Sequence, residues 1–196
     1  MDLTAAGTVT QPLGMSNSER NEMYVSHKNG QGVVLPYDDG RLGLLLMLPN
    51  EGVSLTDYLV GWDGSTVREL LDGQDERLTY LTVPKFETEW GGSLADILCS
   101  MNLTGASDPG AADFTDMGIT ASGNPLFIGD VIHKTAFKLN EKGTEAAAVT
   151  MVAMDPGAAM PSNDRIVLRY DRPFAYGIVD METEALLFPG TAERLE

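Results

Sequence analysis

Two histidines, His27 and His133, and a single cysteine, Cys99, are the side chains here best suited to act as base or nucleophile near neutral pH. A hydrolase would need them arranged around a reacting centre. No Gly-x-Ser-x-Gly elbow occurs, and Cys99 has no base beside it in sequence. It sits in the apolar helical pattern Leu94-Ala-Asp-Ile-Leu-Cys-Ser-Met101, which predicts a buried structural thiol. His133 lies inside an apolar strand-like run, where a histidine is expected as a satisfied core residue. Asp72-Gly-Gln-Asp-Glu76 lacks the spacing and the glycine of a calcium loop. No Cys/His set has metal-ligand spacing, and no phosphate-binding loop is present. The chain is therefore expected to be no enzyme and to hold neither metal nor cofactor. Asn102-Leu-Thr104 fits the glycosylation triplet, a pattern common by chance.

The segment with unusual chemistry is 141–172. Glu141-Lys-Gly-Thr-Glu-Ala-Ala-Ala-Val-Thr150 is small and polar, and runs through Met151-Val-Ala-Met154 into Asp155-Pro-Gly-Ala-Ala-Met-Pro-Ser162. It has two conflicting local solutions. Thr144 as an N-cap before Glu145 and an alanine run predicts a surface helix. Gly143 as a hinge after a long strand instead allows the chain to turn back as a new strand. Small side chains would let such a strand enter a sheet without displacing core volume.

The elements that must position this segment are mostly strands. Asn21–His27 and Gln31–Tyr37 read as strands, followed by an Asp38-Asp-Gly40 turn. Leu42–Leu48 is a continuous apolar run and so a strand buried on both faces. Ser54–Leu71 reads as one or two helices, with Ser54 capping the first and Ser65 the second. Arg77–Phe86 is a strand bent at Pro84, and Ser93 caps a helix to about Met101. A Gly-, Ala- and Asp-rich connection spans Thr104–Asn124, and Leu126–Leu139 is expected as one long strand. Arg165–Tyr170 is β-rich, and Pro173–Val179 with Ala185–Phe188 reads as a hairpin around Asp180–Glu184. The fold class is α+β, sheet-rich with three short helices.

Composition limits the partners. The chain is 43% hydrophobic, enough for a core, and its 13 Lys and Arg against 29 Asp and Glu give a net charge of −16. That charge repels nucleic acid and anionic membranes, so neither is an expected partner. No apolar run is long enough to span a bilayer. Met1–Arg20 lacks the basic start and apolar centre of a signal peptide. One cysteine permits no internal disulfide.

The run Val131-Ile-His-Lys-Thr-Ala-Phe-Lys-Leu-Asn-Glu-Lys-Gly-Thr-Glu-Ala-Ala-Ala-Val-Thr150 closely resembles the signature of the serpins, inhibitors that trap proteases with a cleavable loop. Asp171-Arg-Pro-Phe174 and Leu186-Leu-Phe188 resemble that family's C-terminal strand motifs. Leu35-Pro-Tyr37, Leu46-Met-Leu-Pro49 and Thr82-Val-Pro-Lys-Phe86 are similar to further family patterns. The resemblance covers essentially the whole chain and is weakest before Gln31. It implies that residues 1–196 form the C-terminal part of a single serpin domain, mostly antiparallel sheets with a few short helices, without the N-terminal helical half. The reactive-centre loop would span about 141–164.

The resemblance further implies a suicide substrate for a serine-type endopeptidase: the loop is cleaved and its cut end inserts as a strand. Gly143, Thr144, Glu145, Ala146, Ala147, Ala148 and Val149 would form the hinge, with the small residues that inhibitory members use. The scissile bond would be Gly157–Ala158, with Ala159 and Met160 marking the neighbouring alternatives. Lys85 and Glu141 match a family salt bridge, and His133 a family histidine that hydrogen-bonds across the sheet. Small residues at the bond, with no Lys or Arg between Gly143 and Asp164, imply an elastase-like or subtilisin-like target. An extracellular setting follows from the family alone. The edge of strand 126–139 is expected to be unpaired and to invite self-association. The chain alone is expected to form no stable covalent trap. Alternatives are a non-inhibitory serpin-like binding module and an inactive fragment.

Overall fold

The computed structural model describes residues 8–9, 15–139 and 165–193. In chain order they form β1 (Thr8–Val9), β2 (Met15–His27), β3 (Gly30–Pro36), β4 (Leu42–Pro49), α1 (Leu55–Leu59), α2 (Gly64–Asp72), β5 (Asp75–Pro84) and β6 (Phe86–Ser93). Then follow α3 (Ala95–Ser100), β7 (Ile132–Leu139), β8 (Ile166–Arg169), β9 (Phe174–Asp180) and β10 (Gly190–Ala192). The α+β expectation holds. The chain divides into two compact units, Met1–Glu89 with Ala136–Glu196, and Trp90–Thr135.

The first unit is built on a seven-stranded sheet in the order β10-β9-β4-β3-β2-β5-β8. Its pairings are antiparallel except β5 with β8, which is parallel. β4 lies near the middle, and its apolar run is buried on both faces as expected. Period two divides it. Leu44, Leu46 and Leu48 join a core with Phe86, Leu139, Leu168, Tyr170, Phe174 and Tyr176. Leu45 and Met47 face the opposite way, into a core roofed by Tyr58 and Trp62 of the α1 region and Val67, Leu70 and Leu71 of α2.

Most boundaries match the sequence, and the differences have local causes. β2 starts at Met15 rather than Asn21, because its polar first half is held by a ladder to β5 from Met15↔Pro84 to Tyr24↔Asp75. Ser54 caps α1 as expected, its Oγ accepting from the Asp57 N–H at 3.0 Å. Ser65 does not cap α2. Asp63 does, its Oδ1 accepting from the N–H groups of Ser65 at 2.9 Å and Thr66 at 3.1 Å. The Asp63 N–H donates in turn to the Thr66 hydroxyl oxygen and completes a capping box.

The Asp180–Glu184 turn forms, with Oδ1 of Asp180 accepting from Glu182 and Thr183, both at 3.0 Å. These bonds and the Arg41 guanidinium hold the Asp180 carboxyl below the usual carboxylate range, Thr183 contributing most. The returning arm, expected as a strand over Ala185–Phe188, is only a bridge at Val179↔Leu186. Regular pairing resumes at Gly190↔Tyr176, a register shifted by one residue. Pro189, which has no N–H to donate, stands at the shift. In the same unit Arg172 donates to the Pro49 carbonyl at 2.9 Å, tying the start of β9 to the end of β4.

Glu22 is 5% exposed on β2 and paired with Arg20. Burial raises its carboxyl above the ordinary range even so, outweighing the hydrogen bond and charge of Arg20. A carboxyl with a raised folded pKa disfavours folding once it ionises. Stability is fully present below the unfolded pKa of about 4.3 and is lost as pH rises through the folded value. Glu22→Gln is therefore expected to unfold at a higher temperature than the parent at pH 8, with the gap closing near pH 4. Thermal scans at the two pH values check this; no gap, or a reversed one, at pH 8 would contradict it.

The second unit, Trp90–Thr135, is largely turns around α3. No α3 residue is buried, so Cys99 is only partly covered rather than the core thiol expected. Ser93 is not the cap residue of α3; Leu94 holds that position, and Ser93 Oγ accepts from Ala95 N–H at 3.2 Å. The long strand predicted over 126–139 begins only at Ile132. Before it, backbone donors are satisfied by closures instead of a ladder: Ile128 N–H on the Ala106 carbonyl at 2.9 Å, and Val131 N–H on the Asp130 carboxylate at 2.7 Å.

Candidate functional site

The site implied by the sequence lies at the two ends of residues 140–164. The hinge residues Gly143, Thr144, Glu145, Ala146, Ala147, Ala148 and Val149, and the bond residues Gly157, Ala158, Ala159 and Met160, lie outside the described residues, as does Glu141. What the structure gives is how the flanks are held.

The N-terminal flank is β7, which sits in a three-stranded sheet of order β1-β6-β7. Among the described residues β6 is its sole neighbouring strand. In the first unit β7 ends at Leu139, buried at 8% exposure. Phe137 stacks on Phe86 at 5.7 Å and on Tyr176 at 4.5 Å between ring centroids. Lys138 pairs with Glu87. One strand further in, Thr88 Oγ1 and the Tyr176 hydroxyl share a buried hydrogen bond of 2.6 Å. Burial pushes the Tyr176 phenol up, the Thr88 bond opposing this only in part, so the hydroxyl keeps its proton at neutral pH.

The C-terminal flank is β8, parallel to β5 from Thr79↔Ile166 to Thr82↔Arg169. Arg165, immediately before it, pairs with Glu19 at 3.1 Å and lies 5.8 Å over the Tyr80 ring. Arg165 thus meets both a carboxylate and an aromatic face at the start of β8. Sequence inspection missed Arg165, Glu19, Thr88 and Tyr176 as parts of the site. Their contacts span 146 and 88 positions, and no local pattern announces them.

Lys85 is half-buried at the junction of β5 and β6. His133 is exposed on β7, its ring 5.9 Å from that of Trp90, instead of buried in a core. The physical reason is its position: among the described residues β7 has a neighbouring strand on one side only. Among the described residues no group of three or more His, Cys, Asp or Glu could hold a metal ion, and no helix is long and apolar enough to cross a membrane.

Residues 140–164 thus connect strands of two different sheets, each strand with one neighbour among the described residues, and no assembled acid, base and nucleophile is found among the described residues. Comparisons with known proteins agree on one family. The sequence model for serpin (serine protease inhibitor) matches residues 4–194. The chain is 32% identical over 184 residues to an uncharacterized serpin-like protein of Thermococcus kodakarensis, covering 94% of this chain and 41% of that protein. It is 33% identical over 171 residues to Serpin B6 of Macaca fascicularis, covering 85% and 43%. The native state of tengpin, a thermophilic serpin, superposes with a TM-score of 0.77 at 31% identity, covering 96% of this chain and 50% of that one. The chain spans about half the length of the relatives it matches.

Proposed function

The chain belongs to the serpin family, the serine protease inhibitors, and on that premise we propose that residues 141–164 are a reactive loop acting as bait for a serine-type endopeptidase. One observation carries the proposal. The segment leaves a strand that has a single neighbour among the described residues and returns at the margin of a second sheet. A cut loop would remain attached to β7 and could pair along its other side, turning unbonded backbone into a ladder.

In this scheme the protease serine attacks the Gly157 carbonyl, the Ala158 amine leaves, and the acyl-enzyme is trapped if insertion outruns its hydrolysis. The inhibitor itself supplies no catalytic group. Thr144, Ala146, Ala148 and Thr150 are alternate residues, all small and uncharged, which suits the face of an inserted strand that must be buried. Gly157, Ala158 and Ala159 suit a protease with a small or permissive specificity pocket, elastase-like or subtilisin-like. An extracellular setting belongs to the proposal and rests on family membership.

The test is incubation with elastase-like, subtilisin-like and trypsin-like proteases, read by denaturing gel and intact mass. The expected result is a cut after Gly157, or one or two residues later, by the first two and none in this segment by the third. A covalent adduct resistant to denaturant would establish inhibition by this chain. A clean cut without adduct would support bait without a trap, as in a binding module or an inactive fragment. Absence of any cut within 150–164 would overturn the reactive-loop assignment.

A further inference from the structure

The first unit contains a mechanical link between the C-terminal strands and the strand that leads into the loop. Tyr176 lies on β9, beside β4 in the seven-stranded sheet. Its side chain leaves that sheet and meets β6 and β7. The ring packs on Phe86 of β6 at 5.1 Å and 60°, and on Phe137 of β7 at 4.5 Å and 31°. Its hydroxyl meets Thr88 of β6. Both ends are closely fitted: Tyr176 is 7% and Thr88 4% exposed. Gly190, the residue paired with Tyr176 on β10, is the other half of the fit. A Cβ there would lie 2.4 Å from the phenol carbon of Tyr176, so the absence of a side chain on β10 leaves the space the phenol occupies.

We propose that Tyr176 is a positioning residue for strand insertion: its hydroxyl pins β6 through Thr88 while its ring holds Phe137, latching the β6–β7 pair to β9. Any shift of β7 that admits a new strand must slide Phe137 across this ring, and β6 can follow only by breaking the hydrogen bond. The latch sets how readily β7 moves, and hence whether a cut loop inserts before the acyl-enzyme is hydrolysed. This second consequence rests on the inhibitory function proposed above; the latch itself does not.

The test uses hydrogen exchange on the 196-residue chain with Tyr176→Phe and Thr88→Val, each removing one hydroxyl while keeping shape. A buried hydrogen bond contributes a net stabilisation worth about tenfold in an opening equilibrium. Amides of β7 that bond to β6 are therefore expected to exchange about tenfold faster in either variant, with β3 and β4 unchanged. The double variant is expected to accelerate exchange by less than the product of the two singles, because both remove the same bond. Thr88→Ser, which retains a hydroxyl, is expected to behave as the parent. Unchanged β7 exchange, or equal acceleration in β3, β4 and β7, would overturn the latch. The second result would be an ordinary loss of global stability. If the parent also forms protease adducts, Tyr176→Phe is expected to lower the number of loops cut per protease trapped, and an unchanged ratio would overturn the link to insertion. A parent that forms no adduct speaks against the inhibitory function, and the exchange result then decides the latch alone.

Discussion

Gly32→Val is expected to yield no cooperatively folding protein. Gly32 is buried on β3, paired with Val25 on one side and Met47 on the other. A Cβ there would stand 1.9 Å from the Leu46 carbonyl oxygen and 2.6 Å from the Met47 sulfur. The methionine can turn away, but the carbonyl is backbone of β4, which is bracketed by β3 and β9 and cannot retreat without breaking a ladder. Ordinary overpacking costs about 1–3 kcal/mol where side chains can give way; here the obstacle is main chain in the middle of the sheet, against a total stability of about 5–15 kcal/mol. Strand propensity taken alone would favour valine over glycine by up to about 1 kcal/mol, so the two considerations predict opposite signs. Circular dichroism through a thermal scan reads the answer. A normal transition near the parental midpoint would show that β4 can move away from a side chain on β3. Gly64→Ala is the control: it opens α2, nothing lies within 4 Å, and its φ is not in the left-handed region. It should be neutral or stabilise by up to about 1 kcal/mol.

Phe174→Ala is expected to destabilise by about 3–5 kcal/mol, the usual range for emptying a fully buried aromatic site. Phe174 is 0% exposed, with Phe86 at 5.6 Å and Tyr170 at 5.1 Å between centroids, both near edge-on. Those neighbours are themselves anchored: the Tyr170 hydroxyl donates to the Leu46 carbonyl at 3.0 Å, and Phe86 is held by Phe137 and Tyr176. Collapse into the vacated volume would have to pull on these, so the cavity persists and its cost is paid in full. The midpoint of chemical denaturation should fall with little change in slope. Phe174→Leu, which fills more of the site, should cost less than half as much. A loss below about 1 kcal/mol for the alanine variant would mean that the aromatic cluster closes over the gap and that its contacts are not tightly fitted.

How much could be read from the chain depended on the range of the interaction concerned. Leu42–Leu48 was legible as a doubly buried strand because an unbroken apolar run has no face left for water, and the structure buries it on both sides. Ser54 was legible as a cap because the donor it serves is three residues away. The signature ending in the hinge, Val131–Thr150, was legible as a serpin motif because its residues are contiguous, and the match over residues 4–194 supports it. Local competition misled in two places. Asp63 outbid Ser65 for the cap of α2, since one carboxylate oxygen reaches two N–H groups at once. The strand expected from Leu126 began at Ile132, since Asp130 and Ala106 supplied nearer acceptors than a neighbouring strand. His133, expected in a core, is exposed for a different reason. An apolar run announces a strand, but whether a strand lies inside a sheet or at its border depends on neighbours far away in sequence.

The sequence by itself determined the family, most of the strands and the three short helices, the run of small residues Ala146–Val149 and the absence of basic residues between Gly143 and Asp164. All of these are properties of contiguous residues, where period, size and charge act over a few positions. Only the tertiary structure decided which residues surround the strands that flank residues 140–164. Tyr176 meets Thr88 and Phe137 because two sheets share one aromatic core, and Arg165 meets Glu19 and Tyr80 because β2, β5 and β8 are neighbours in one sheet. Such contacts leave no periodic trace along the chain, since each needs only one suitable side chain at each end and a fold that brings the two together.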